Sequence, residues 1–403
     1  MSTADATVVD DAEVRSSEVG LLRRFIAGDL AELRVVLALG LIWLVFYLQE
    51  PRFLSSVNLS NLVLQTTAVG LVSIGIVLVL LLGEIDLSVG AVSGLCAAIV
   101  AVLNVKHGWS PYLAIAAGVL AGTAIGLFQG SVFTRFAVPS FVVTLAGLLA
   151  WPGAMLEVLG ETGTVNLNDP KILGLTNTFY SDTVGWVLAL VAIGAYAAMA
   201  LRRRQKRVSE GLSAPQLGLV VLRIGLVAVA VLVAVWVLND DRGVPLAALI
   251  LVGFCLVFFY ITTRTTFGRH IFAVGGNAEA ARRAGIHVNR VRVIVFMIAS
   301  TMAAIGGIMA ASRLLAVNQS SGAGDFLLLA IAGPVIAGTS LFGGRGSVWH
   351  ALLGALVITS ISNGMDLLAL QSSVKFMVTG AVLLAAVVID AIARQQRQAA
   401  GRI

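Results

Sequence analysis

Residues 61–95 read NLVLQTTAVGLVSIGIVLVLLLGEIDLSVGAVSGL, and the fold turns on how that stretch is read. Residues 60–82 are almost unbroken aliphatic sequence. Gly83-Glu84-Ile85-Asp86-Leu87-Ser88-Val89-Gly90 then places two carboxylates between glycines, and a second apolar run begins. A hydrocarbon core about 30 Å thick is crossed by roughly 20 apolar residues in a helix, so the run at 60–82 predicts a membrane span. The acidic interruption is the anomaly. A carboxylate at the bilayer centre costs about 2.5–3.5 kcal/mol on insertion scales. Non-helical backbone at that depth persists only where protein buries it or a wet cavity borders it. The octet is therefore either a turn near the water surface, with Asp86 capping the next helix, or a break lining a solvated route.

The rest of the chain extends the apolar theme. Of 403 residues, 58% are hydrophobic and 12% charged, about half the charge of an average soluble domain. Such a chain cannot clothe itself in a water-facing surface, which excludes a soluble enzyme, a nucleic-acid-binding module and a disordered scaffold. Long unbroken runs also exclude a transmembrane barrel of ~10-residue alternating strands. What is left is an all-α polytopic membrane protein. Apolar runs lie near 35–49, 60–82, 88–104, 111–133, 139–159, 183–201, 217–238, 245–262, 293–315, 326–342, 347–364 and 374–392. They predict about 10–12 transmembrane helices. Those at 35–49, 88–104 and 326–342 are short enough to be tilted, broken or re-entrant.

Charge placement orients the spans. The chain has 27 Lys and Arg against 21 Asp and Glu, a net +6. If the N-terminus starts inside and crossings alternate, the inner segments gather Arg202, Arg203, Arg204, Lys206 and Arg207, and also Arg264, Arg269, Arg282, Arg283, Arg290 and Arg292. The resulting bias is roughly three to one in the inward direction, which predicts that both termini are cytoplasmic. The expected layout is a cytoplasmic tail at 1–34, a single transmembrane domain at 35–393 with its one long polar loop at 264–292, and a cytoplasmic tail at 394–403. Residues 1–20 are polar and acidic, without the apolar core of a signal peptide. Cys96 and Cys255 stand alone in apolar runs and the four histidines are scattered, so neither disulfides nor a metal site are expected.

Small residues recur at helical spacing. Gly118, Gly122, Gly126 and Gly130 form one ladder, and Ala303, Gly307 and Ala311 a second. Both predict close helix–helix packing in a solvent that supplies no hydrophobic drive, either fixed or sliding. In the polar loop, Gly275-Gly276-Asn277-Ala278-Glu279-Ala280-Ala281-Arg282-Arg283-Ala284-Gly285 reads as a complete short helix. Asn277 is the N-cap, Glu279 lies in the first turn, Arg282 and Arg283 in the last, and Gly285 stops it. Isolated helices under about 12 residues are marginal in water, so one capped this explicitly is expected to dock on something, the alternative being a merely solvated turn. A third feature, Gly338-Thr339-Ser340-Leu341-Phe342-Gly343-Gly344-Arg345-Gly346-Ser347, lacks the phosphate-loop pattern and its parallel-sheet setting. It is expected to be a glycine-rich break that repeats the design of residues 71–95, as transporter repeats do. Polar side chains at membrane depth include Asn61, Gln65, Thr66, Thr67, Thr144, Asn363 and Asp366, with Phe141 and Trp151 as aromatic neighbours. They either offer paired donors, acceptors and ring faces to a polar solute or join helices by hydrogen bonds. No nucleophile–base pair, carboxylate dyad or metal cluster emerges, so the chain is not expected to be an enzyme.

Four motifs carry a resemblance: GEIDLSVG at 83–90, VPSFVVTLAG at 138–147, TRTTFGRHIFAVGGNAEAARRAGI at 263–286, and GTSLFGGRGSV at 338–348. They resemble the ribose/xylose branch of bacterial ABC sugar-importer permeases, from about residue 55 to the C-terminus. LNDDRGVP at 238–245 is similar to the xylose-type members, whose insert shorter relatives lack. The resemblance implies a sugar-importing permease of the bacterial inner membrane, with D-xylose as its substrate. It also implies a second copy of this chain, two ATPase subunits that carry ATP and Mg, an extracytoplasmic sugar-binding protein, and no nucleic acid. This chain would hold no cofactor of its own. The short helix becomes the ATPase-coupling helix, with Gly276, Asn277, Glu279, Ala280, Arg282, Gly285 and Ile286 matching the family's loop. Glu84, Asp86 and Ser88 match its acidic break, and Asn61, Gln65, Phe141, Thr144 and Asn363 join them as candidates for the translocation path. Where relatives carry an arginine near Gly153, this chain has Trp151-Pro152-Gly153, a departure bearing on substrate preference. An ion-coupled secondary transporter using Glu84 and Asp86 is the alternative reading.

Overall fold

The computed structural model describes residues 31–399, and the apolar runs within them are helices. Lipid offers the backbone no water, so each long apolar stretch satisfies its N–H and C=O groups internally. In chain order come α1 (Ala31–Gln49), α2 (Ser56–Leu81), α3 (Val89–Ala101), α4 (Pro111–Phe136) and α5 (Ser140–Leu159). After β1 (Thr164–Asn166), α6 (Pro170–Asn177) and β2 (Phe179–Tyr180) follow the long pair α7 (Asp182–Ser209) and α8 (Leu217–Asp241). The second half holds β3 (Val244–Pro245), α9 (Leu246–Arg264), α10 (Thr266–Gly276), α11 (Ala278–Arg283) and α12 (Val288–Leu314). It closes with β4 (Ala316–Asn318), α13 (Asp325–Ile336), α14 (Trp349–Leu367) and α15 (Ser372–Ala399). The expected tails at 1–34 and 394–403 fall mostly outside the described residues, although α1 begins at Ala31 and α15 runs to Ala399.

Among the described residues, eight helices are long and apolar enough to cross a membrane: α2, α3 with its extension to Lys106, α4, α5, α7, α8, α9 and α12. Shorter apolar helices lie at Val35–Gln49, Phe326–Ile336 and Ser372–Ala385, and α14 carries His350, Ser360, Asn363 and Asp366 among its apolar residues. The run at 326–342, expected to be tilted, broken or re-entrant, is broken: the helix ends at Ile336, and Gly338, Gly343, Gly344 and Gly346, all at positive φ, turn the following residues into a separate loop.

α12 is the axis of the packing, with α2, α3 and α4 laid against it. The most apolar window of α2 is 89% buried, against 6% for α8, so the hydropathy of α8 serves its surroundings rather than the core. The glycine ladder of α4 explains the closeness. A Cβ on Gly126 would stand 2.4 Å from the Phe296 carbonyl oxygen, and one on Gly122 would stand 2.7 Å from that of Ser300. The second ladder works in the same way, with Gly307 packed on the Ser93 backbone. Both ladders are packing faces in which dispersion replaces the absent hydrophobic drive.

Two short antiparallel pairings tie distant loops together. β1 pairs with β4 in the register Val165↔Val317, and β2 pairs with β3 through Phe179↔Pro245. Because α9 runs from β3 to α10 and α12 runs from α11 to β4, the strand pairs mark one end of the bundle and α10–α11 the other.

Candidate functional site

At the α11 end, the short helix forms as its caps dictate. Asn277 Oδ1 accepts the Ala280 N–H at 2.9 Å. At the other terminus, the Ile286 N–H donates to the Ala281 carbonyl and the Gly285 N–H to the Arg282 carbonyl, both at 3.0 Å. That pair of bonds, with Gly285 at φ +84°, is the Schellman arrangement that releases the chain from a helix. Glu279 accepts from Arg282 at 2.8 Å and from Arg283 at 3.2 Å. The helix rests on the core through buried Ala281, with Ala278 and Ile286 packed against the same cluster. Glu279, Ala280, Arg282 and Arg283 face outward. The result is a rigid, charged knob bolted to the bundle by one alanine face.

Three glycine-bearing loops meet beneath that knob. A Cβ on Gly275, at the end of α10, would lie 1.7 Å from the Leu81 carbonyl oxygen and 2.8 Å from the Gly344 nitrogen. The Gly344 N–H donates to that same Leu81 carbonyl at 2.9 Å. Gly343, at φ +85°, lies against both Gly275 and Gly83. A Cβ on Gly276 would point into open space, although its backbone lies against Gly344. The end of α2, the loop at 338–347 and the lead-in to α11 are therefore fused backbone to backbone, with no side chain between them.

From this junction the acidic break runs into the bundle. Gly83 still touches Phe342 and Gly343, whereas Gly90 and Gly94 already lie against Gly322 and Ser321, in the chain just after β4. The segment between them is an inward run rather than a surface turn. Glu84 accepts from Arg292 at 2.8 Å and from the Ser140 hydroxyl at 2.7 Å. Asp86 is 3% exposed. Its Oδ1 accepts the Ser88 N–H at 2.8 Å and the Ser88 hydroxyl at 2.7 Å, while its buried Oδ2 has no partner. Asp86 is thus not the N-cap that its position suggested. Ser88 occupies that place, and the Asp86 side chain closes an Asx turn two residues ahead of it. Thr144, fully buried on α5, accepts the Leu87 N–H at 3.1 Å.

Ser88 has one hydroxyl proton, and Asp86 takes it. The Gln129 amide group 3.0 Å away must then offer Ser88 a donor. With its oxygen toward Ser88, both Gln129 Nε2 and Trp151 Nε1 are buried donors without acceptors, and both crowd the position of a Cβ on Gly147. A half-turn of the amide resolves the three together. Nε2 then donates to Ser88, and Oε1 takes the place of Nε2 beside Gly147, on the side of the indole N–H. Asp86, Ser88 and Gln129 form one polar chain from the break to α4, with Trp151 of α5 beside it.

The other expected path residues, Phe141 apart, lie elsewhere. Asn61 sits toward the strand end of α2, where Arg242 donates to it at 3.0 Å while stacking over the Phe179 ring. That contact gives the LNDDRGVP segment a structural task, holding α2 to β2. Gln65 is half-buried one turn along α2. Asn363 is buried and exchanges two amide hydrogen bonds with Asn58, at 2.8 and 3.1 Å, joining α14 to α2. Phe141 is 49% exposed on α5. The structure therefore gathers Glu84, Asp86, Ser88 and Thr144, leaves the Phe141 ring exposed beside them although its carbonyl accepts from Thr144, and places Asn61, Gln65 and Asn363 elsewhere. The loop at 338–347 does not repeat the break. It folds back on itself through Ser340 N–H to Arg345 C=O, at 3.0 Å. Sequence reasoning passed over Ser140, Gln129 and Arg292. A polar residue in an apolar run was the available signal for the first two, but Arg292 was hidden among other basic residues.

Residues 58–387 match the family described as branched-chain amino acid transport system / permease component. The xylose transport system permease protein XylH of Escherichia coli is 39% identical over 347 residues, covering 86% of this chain and 88% of that protein. Its Haemophilus influenzae counterpart is 36% identical over 341 residues, covering 85% and 90%. The ribose import permease protein RbsC of Escherichia coli is 29% identical over 369 residues, covering 91% and 96%. No solved structure matches the chain.

Proposed function

The chain belongs to the branched-chain amino acid transport system permease family, and on that footing we propose that it is the sugar-conducting subunit of an importer for D-xylose. It is a multi-pass inner-membrane protein and a permease subunit of an ABC transporter. The xylose permeases similar to it over nearly their whole length support the pentose. Two copies of the chain would form the membrane portion. Two ATPase subunits would bind ATP and Mg on the cytoplasmic side, and a binding protein outside would deliver the sugar. The basic residues of the α11 end support placing that end in the cytoplasm together with both termini.

The observation that carries the coupling role is α11 itself. It is a fully capped helix with a charged outer face, seated by Ala281 on the core and joined through Gly275 to the end of α2. A partner pushing this knob moves the end of α2 and, beyond it, the break that holds Glu84, Asp86 and Ser88. These three and Thr144 form the polar wall of the path in this reading, whereas Asn363 and Asn61 hold helices and strands in place. The test is co-purification from the native membrane, followed by ATPase assays with binding proteins loaded with different sugars. Stimulation by a xylose-loaded binding protein, and much less by ribose, is the expected result. Equal stimulation by every loaded protein would overturn the xylose assignment.

A further inference from the structure

α11 reaches the acidic break by two routes of different character. Through α10, Gly275 meets Leu81 and Gly344 backbone to backbone, a contact with no freedom to adjust. Through α12 the connection is one side chain. Only residues 284–287 separate α11 from α12. They are closed by the Schellman bonds and by Val288 N–H to Ile286 C=O at 2.9 Å. Ala281, Val288 and Val291 share one apolar cluster. The link from α11 to Arg292 is therefore short, hydrogen-bonded and packed on one cluster.

Arg292 Nη2 lies 2.8 Å from Glu84 Oε1, with side-chain exposures of 26% and 15%. Its Nε is buried without a partner, and Glu84 takes the Nη2 side of the guanidinium. On the far side, Glu84 Oε2 accepts from Ser140, whose hydroxyl oxygen also accepts the Ile85 N–H at 3.4 Å. Glu84 is thus the hub at which α12, α5 and the break are joined. Of the two routes from α11, this one runs through a side-chain ion pair, whereas the other is backbone packed on backbone.

We propose that the Arg292–Glu84 ion pair is a latch, closed in this conformation, through which displacement of α11 draws the acidic break away from or back onto α5. Arg292 is a positioning residue that acts on the path through Glu84. The inference rests on the permease reading given above. A static brace would predict something different, because a brace lost from a membrane protein lowers its stability without changing how much sugar each ATP moves.

The experiment is reconstitution of the complete transporter (this chain, its ATPase and its binding protein) in vesicles, scoring sugar imported per ATP hydrolysed. Arg292→Gln and Glu84→Gln are each expected to lower that ratio at least tenfold, and the double variant no further than either single one. Arg292→Lys keeps the charge and is expected within threefold of wild type, and exchange of the charges (E84R with R292E) is expected to recover part of the ratio. An unchanged ratio in the single variants, with only the melting temperature lowered, would overturn the latch, as would additive losses in the double variant. Wild-type vesicles that import nothing would instead overturn the permease reading on which it rests.

Discussion

α11 and the break at residues 82–88 are both short, charged interruptions in an apolar chain, yet they are built by opposite means. α11 carries its own instructions. Its cap, its ion pairs and its terminating glycine all lie between Asn277 and Ile286. The break carries almost none. Glu84 is held by Arg292 on α12 and Ser140 on α5, the serine by Gln129 on α4 and the backbone by Thr144, and only the Asp86–Ser88 turn is internal to the break. The difference separates a part that is built from its own residues and turns its charges outward from a part positioned by everything around it.

Substitutions sharpen that contrast, and the break should suffer most. Glu84→Leu strands a half-buried Arg292, and removing one partner of a buried pair costs about 3–5 kcal/mol. The residual exposure of this pair places the expected loss near the lower figure. A fall in the melting temperature of the purified chain, together with loss of import, is the expected pattern, and an unaffected protein would return the segment to the status of a turn. Gly275→Ala comes next. A Cβ 1.7 Å from a carbonyl oxygen forces the end of α10 away from α2, with a destabilisation of about 1–3 kcal/mol, as for overpacked cores. Within α11, Gly285→Ala places a side chain at φ +84° and should cost about 1–2 kcal/mol, and Asn277→Ala about 1 kcal/mol. Hydrogen exchange confined to residues 277–287 would register both. The smallest stability effect belongs to Glu279→Ala with Arg282→Ala, within about 0.5 kcal/mol for surface positions. That pair should nevertheless abolish stimulation of the partner ATPase while the chain stays inserted. If stimulation were unchanged, α11 would be a solvated helix and the contrast would dissolve.

The same contrast explains what the sequence made legible. Helix positions followed from runs of aliphatic residues, because lipid leaves the backbone no other solution. α11 followed because all its partners lie within ten residues of one another. The ladders of α4 and α12 were readable as packing faces, although only the structure shows that Gly126 faces Phe296 and Gly307 faces Ser93. The break was recognisable as an anomaly and a candidate site, but its partners were not. Gln129 lies 41 residues from Ser88, Ser140 lies 56 from Glu84, and neither separation has a helical or strand period. Asn363 and Thr144 were equally polar in equally apolar runs. One pairs with Asn58 and the other with the break, and only three-dimensional neighbours decide which.

The claim on which the account rests is that this chain is a passive conduit driven from its α11 end. The direct measurement is uptake of labelled xylose by sealed vesicles containing the chain, with and without the ATPase, the binding protein and ATP. Accumulation only when all are present, abolished by Glu279→Ala with Arg282→Ala, is the predicted result. Accumulation by the chain alone, driven by an ion gradient, would contradict it.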